Sequence, residues 1–308
     1  MEFQVITSTI VVMGIIIFLG SMTAVKVPIT DSFKDGVMYI ILNIAVPAVI
    51  LDGVFNTDIS NDLFEAVFLI FSAAILLCIS ALFFSRFFAM LFRFDNQDAK
   101  KLSVLASFGN TGFIGIPLCA LIFGPTGGLL AAIFDAGLGV VIFSFGIVFL
   151  QSKKGRVIEN FRAFINMPII SVIVGLLLLG VGFDPPGFLR QLTEMLAALS
   201  GPLAMLYVGL LIPPLLSNGR FKLYGAIWFP LVMRLAIIPI STAVVLSFMP
   251  LSSLLDHIIL LQASMPTFTL SVILFSKYTD ESDKAIITTI VSTILSMFTI
   301  PLLSLLVS

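Results

Sequence analysis

The sequence predicts an all-α integral membrane protein of ten transmembrane helices, arranged as two inverted five-helix repeats with both termini outside. Three observations carry this. The chain is 59% hydrophobic and only 11% charged over 308 residues, with a mean hydropathy of +1.18, whereas soluble domains hold roughly 25% charged residues. Apolar runs near the ~20 residues that cross a hydrocarbon core as a helix recur from end to end. The basic residues collect in alternate connectors.

Taken in order, the apolar runs fall near 5-22, 37-54, 63-90, 99-123, 127-150, 164-182, 192-213, 223-248, 253-276 and 284-307. The first lacks a basic leader and a small-residue cleavage site, so it reads as a span rather than a cleaved signal peptide. With the N-terminus outside, the cytoplasmic connectors and helix ends hold fourteen of the sixteen Lys and Arg: Lys26, Lys34, Arg86, Arg93, Lys100, Lys101, Lys153, Lys154, Arg156, Arg162, Arg220, Lys222, Lys277 and Lys284. The outer connectors hold Arg190, with Asp58, Asp62, Glu65, Asp184, Glu194 and Asp256. Short loops rich in Lys and Arg stay on the cytoplasmic side. The sixteenth cation, Arg234, is left in mid-span.

Half of 308 is 154, and the helix breakers repeat at nearly that offset. Pro47 in "NIAVPAV" and Pro202 in "LSGPLAM" are 155 residues apart, and Asn110 and Pro266 are 156 apart. The second and seventh spans, and the fourth and ninth, are expected to be interrupted at matching places. Five spans per half is an odd number, so the second half must be inverted. The expected organisation is a first repeat over 1-150, a cytoplasmic connector over 151-163 and a second repeat over 164-308.

The fourth span holds "GNTGFIGIPL", residues 109–118. Gly109, Gly112 and Gly115 permit backbone conformations closed to other residues, and Pro117 disfavours helix just before it. Two half-helices joined by an unwound stretch are expected, and such backbone is tolerated at membrane depth only when buried in protein or facing a wet cavity. The ninth span repeats the arrangement in "LQASMPTFTL", with Gln262, Ser264, Pro266 and Thr267. Half-helix N-termini attract anions. Matched interruptions in two halves are a pointer to a carrier's binding site.

Together, "NTGFIGIPL" and "LQASMPTFTLSVILFSKY" resemble the auxin efflux carrier family, which includes the plant PIN carriers and bacterial malate and malonate permeases. The resemblance covers essentially the whole chain. It implies crossing broken helices four and nine, as in the related bile-acid-symporter and NhaA-like folds. It also implies elevator-type transport of an organic anion, with a scaffold of spans 1, 2, 6 and 7 that dimerises and a transport domain of spans 3-5 and 8-10. Carried over by position, Asn110 and Thr111 match the polar pair of the first crossover and Pro117 the proline after it, while Gln262 and Pro266 match the second. Gly109 stands where the plant carriers have proline, and the long plant cytoplasmic loop is absent, so the chain resembles a prokaryotic member.

The substrate set expected on these grounds is Asn110, Thr111, Gly112, Gln262, Ser264, Pro266 and Asn43, with Pro47, Gly109, Gly115, Pro117 and Pro202 shaping the breaks. Arg234 is costly at mid-membrane and must face a partner or a cavity. Asp135, some 12 Å into the fifth span at 1.5 Å per residue, is its candidate ion-pair partner; the alternative is a proton-holding carboxylate. The lone His257, beside Asp256, reads as a solvated helix end.

No H-E-x-x-H, G-x-S-x-G or Cys/His cluster is present, so neither an enzyme nor a metal or organic cofactor is expected. The net charge of -1 gives no nucleic-acid signal. The expected partners are a small organic anion, protons, the lipid bilayer of an inner or plasma membrane, and a second copy of the chain. Two other functions fit the same motifs: a sodium-coupled symporter resembling the bile-acid symporters, and a solute sensor that binds without transport. The absence of an acidic residue from either crossover motif disfavours the sodium-coupled alternative.

Overall fold

The structure, a computed structural model, describes residues 2–56, 61–151, 167–217 and 225–304. The expected connector from residue 152 onward, with Lys153, Lys154, Arg156 and Arg162, lies outside the described residues, as do Asp58, Arg220 and Lys222. Among the described residues the regular secondary structure is helical. Helix α1 (Glu2–Lys26) is followed by α2 (Asp31–Ile40), which runs through a π-helical turn at Ile41–Ala45 into α3 (Val46–Phe55). Then come α4 (Asn61–Leu91), α5 (Asn96–Ser107), α6 (Ile116–Val141) and α7 (Ile147–Leu150). Next are α8 (Met167–Gly180), α9 (Gly187–Ala197), α10 (Ser200–Ser217), α11 (Trp228–Val232) and α12 (Ile238–Leu246). The chain closes with α13 (Ser253–Ala263), α14 (Leu270–Tyr278) and α15 (Ser282–Ser304).

Among the described residues, six helical stretches are long and apolar enough to cross a membrane: Ser32–Phe55, Leu63–Leu91, Thr111–Leu150, Gly187–Pro213, Gly225–Leu246 and Ser282–Leu303. Three shorter apolar helices accompany them. Their outward faces are apolar too. On α4, Phe68 is 71% and Leu76 68% exposed, which in water would be an aggregation surface but suits a lipid-facing wall. Polar termini are capped: Thr30 Oγ1 accepts from Phe33 N at 3.2 Å, and Asp95 Oδ1 accepts from Gln97 N and Asp98 N at 2.9 and 2.7 Å.

The interior is one large apolar cluster, including Ile41, Val46, Ile50, Leu129, Leu130 and Ile258, with smaller clusters around Phe108 and Phe229. Small residues set the closest helix pair, α1 against α10: a Cβ on Gly209 would collide with Ile17 O, and one on Gly20 with Leu206 O. Lipid offers no hydrophobic drive between helices, so close backbone approach of this kind is what holds them.

Prolines and π turns go together. Pro47, Pro117 and Pro239 each stand in the first turn of an α-helix that follows a π turn: Ile41–Ala45, Thr111–Gly115 and Met233–Ile237 respectively. Proline brings no N–H, and its ring crowds the carbonyl one turn back; widening that turn relieves both. This corrects the expected interruption at Pro47, because the second span bulges there and continues to Phe55. The seventh is broken as expected, with α9 ending at Ala197 and α10 starting at Ser200, so Pro202 falls in a first helical turn. Between the fourth and fifth expected runs the chain turns at Gly124, whose φ of 73° is the left-handed region that favours glycine.

Candidate crossover site

The fourth and ninth runs are both unwound in the middle, and the two unwound stretches lie against each other. After α5 the chain is extended at Phe108, and Gly109 bridges Thr267 in antiparallel fashion. Phe268 N donates to Phe108 O at 3.1 Å and Asn110 N to Pro266 O at 2.7 Å. The breaks thus satisfy each other's backbone, which is what buried non-helical chain at this depth requires. Thr267 adds two ties, its Oγ1 donating to Leu105 O at 3.1 Å and its N to Ser292 Oγ at 3.0 Å.

Each break leaves two helix ends. The N-cap positions are Asn110, ahead of the π turn at Thr111–Gly115, and Thr269, ahead of α14, and neither side chain bonds the N–H groups of its own helix. The two caps meet: Asn110 Nδ2 donates to Thr269 Oγ1 at 2.9 Å. Both line a small cavity of about 30 Å³, walled by Phe113 and Ile114, by Tyr207, Val208, Leu211 and Ile212 of α10, and by Thr289 and Thr293 of α15. The Phe113 and Tyr207 rings stand edge to face across it, centroids 5.2 Å apart.

The C-terminal ends meet at Arg234, which is 1% exposed on the π turn between α11 and α12. Its Nε donates to Met265 O at 2.7 Å, Nη1 to Ser107 O at 3.0 Å, and Nη2 to Gln262 O and Ala263 O at 3.2 and 2.6 Å. The expected ion pair with Asp135 does not form. The ion pairs among the described residues are Lys101 with Glu281, Lys284 with Glu281, and Arg190 with Asp184. Asp135, partly buried, instead accepts a hydrogen bond from Thr111 Oγ1 at 2.5 Å. Helix-end carbonyls outcompete the carboxylate because four of them converge on one planar guanidinium with its donors in a fixed fork.

The three glycines of the first crossover work differently from expectation. None has positive φ. Each makes room for one polar side chain: a Cβ on Gly109 would stand 2.7 Å from Arg234 Nη2, one on Gly112 2.8 Å from Asp135 Oδ2, and one on Gly115 would overlap Gln262 Oε1.

Of the expected substrate residues, Asn110 lines the cavity. Thr111 and Gly112 contact Asp135, and Pro266 accepts from the Asn110 backbone. Gln262 is fully buried, with Nε2 donating to Ala131 O at 3.1 Å, and Ser264 Oγ turns back to Leu260 O at 2.7 Å. Asn43 is spent on its own helix, donating to Tyr39 O at 3.0 Å. Sequence reasoning missed Thr269, Thr289, Thr293 and Tyr207. The only available signal was the run of hydroxyl residues at 288, 289, 292 and 293 in an otherwise apolar span.

The sequence profile of a family described as membrane transport protein matches residues 5–163 and 157–304. The chain is 25% identical over 311 residues to an uncharacterized transporter of Methanothermobacter thermautotrophicus, covering 99% of both chains. It is 24% identical over 255 residues to an uncharacterized transporter of Methanocaldococcus jannaschii, covering 78% of each. With the paired broken helices and the family match running through both halves, the chain belongs to the membrane transport protein family, the group of the auxin efflux carriers that its crossover motifs resemble.

Proposed function

We propose that the chain is a secondary carrier of a small organic anion, a carboxylate of malate or malonate size or an auxin-like acid, working by elevator-type alternating access. One observation carries this reading: the N-caps of the two broken helices, Asn110 and Thr269, are hydrogen-bonded to each other and line the same cavity. A helix N-terminus holds roughly half a positive charge and backbone N–H groups without helical partners. Two such ends converging on one space favour an anion over a cation. Thr289 and Thr293 add hydroxyls, and Phe113, Ile114 and Val208 supply the apolar wall that orients a short carbon chain.

In this reading the membrane is crossed ten times, with N- and C-termini outside. The spans are α1, α2 with α3, α4, α5 with the first part of α6, the rest of α6 with α7, α8, α9 with α10, α11 with α12, α13 with α14, and α15. Repeats over 1-150 and 164-308 are inverted; spans 1, 2, 6 and 7 form a scaffold that dimerises, and the others carry the solute through an inner or plasma membrane. In this reading the small cavity widens around a carboxylate as α10 draws away from the crossover. Sliding of the transport spans past Tyr207 and Val208 supplies that opening. Asp135, hydrogen-bonded to Thr111 next to the cavity cap, is the proton carrier if transport is proton-linked.

Proteoliposomes loaded by uptake of labelled malate, malonate or an indole carboxylate, with proton and sodium gradients imposed separately, test the reading. Saturable uptake of an acid, abolished by Asn110→Ala with the protein still folded, is expected. Undiminished uptake and affinity in Asn110→Ala would rule out the crossover cavity as the site, and binding without flux would identify a sensor.

A further inference from the structure

We propose that Arg234 is a tethered cation, occupying the one place at the crossover where a free alkali cation would otherwise bind, so that this carrier holds no sodium there. The half-helices α5 and α13 end at the same point, and each C-terminus carries about half a negative charge. Two ends sum to roughly one charge, which a single guanidinium balances. The four carbonyls that face Arg234, those of Ser107, Gln262, Ala263 and Met265, are helix-terminal oxygens of the type that hard cations take as ligands. No carboxylate contributes to this cage among the described residues, so the charge balance is between backbone dipoles and one side chain. Gly109 completes the fit, since a Cβ there would stand 2.7 Å from Arg234 Nη2.

The chain therefore carries its own counter-cation on α11–α12, and the ends of both broken helices are held together at every stage of the cycle without an ion from solution. The inference rests on the C-terminal ends and is independent of which solute the N-terminal ends bind. Its test uses no solute, so a negative uptake experiment leaves it standing.

Thermal midpoints of the purified protein are measured in sodium, potassium and choline chloride, with and without dilute guanidinium. The wild type is expected to melt at the same temperature in all three salts. In Arg234→Ala the buried carbonyls of Ser107, Ala263 and Met265 lose the guanidinium while Gln262 O keeps Met265 N at 3.3 Å, and the midpoint is expected to fall by on the order of 10 °C. Guanidinium is expected to restore roughly half of that loss, and sodium to give a smaller rise over choline. Arg234→Lys keeps a fixed charge and is expected to remain indifferent to sodium, and if Arg234→Ala does not fold, it and the wild type decide the matter. Stabilisation of the wild type or of Arg234→Lys by sodium over choline would overturn the proposal, as would a folded Arg234→Ala that guanidinium does not stabilise.

Discussion

Replacing Gly115 with alanine isolates the physical principle on which the crossover is built. A methyl group at that position overlaps Gln262 Oε1, and Gln262 is fully buried with its Nε2 bonded to Ala131 O. The side chain has two ways out. It can stay and strain the contact, an overpacking cost of about 1–3 kcal/mol, or swing away and leave a buried amide donor unpaired, also about 1–3 kcal/mol. The cheaper route sets the loss, about 1–3 kcal/mol, or roughly 2–6 °C in midpoint at about 2 °C per kcal/mol for a chain of this size. The assay is thermal unfolding of the purified protein, wild type and Gly115→Ala, each repeated in a Gln262→Ala background. With the long side chain gone the methyl has space, and alanine is favoured over glycine in helical backbone by about 0.5–1 kcal/mol. The penalty is therefore expected to vanish or change sign. Equal losses in the two backgrounds would mean that the sites are independent, and close approach would not be the reason for glycine.

Thr293→Val keeps shape while removing a cavity hydroxyl whose bond, to Thr289 O at 2.7 Å, lies within its own helix. Folding is expected to change by less than about 1 kcal/mol while affinity for the proposed carboxylate substrate falls about tenfold; unchanged affinity would remove Thr293 from the site. Just before α15, burial raises the Glu281 carboxyl, but the hydrogen bonds and charges of Lys101 and Lys284 outweigh it and hold the group below its usual 4.5. A depressed carboxylate stabilises the fold above its unfolded value and loses that contribution as pH falls through the folded one. The thermal midpoint is thus expected to drop on acidification, more steeply in wild type than in Glu281→Gln, and parallel curves would contradict the assignment.

The two helix breaks could be read from the chain itself. Gly109 to Leu118 and Gln262 to Leu270 announce broken helices because glycine, proline and short polar residues are costly in a bilayer unless the freed backbone finds partners, and in the structure they find each other. The seventh-span break ahead of Pro202 was legible for the same reason. Pro47 was misread. Local sequence says that a proline disturbs a helix, but whether the disturbance is a break or a π bulge depends on what packs beside it.

What the sequence by itself determined is the medium, the all-helical class and the two weak points of the apolar pattern, since each follows from composition and local backbone preference. Tertiary structure alone decided the partners. Arg234 and Asp135 looked like an ion pair because opposite charges in a bilayer seek each other, yet the guanidinium went to four helix-end carbonyls and the carboxylate to Thr111. Three glycines expected to free the backbone instead make room for Arg234, Asp135 and Gln262. Thr269, Tyr207, Thr289 and Thr293 became cavity residues only when α10 and α15 closed against the break. Which groups converge depends on helices far apart in the chain, and no local pattern records that distance.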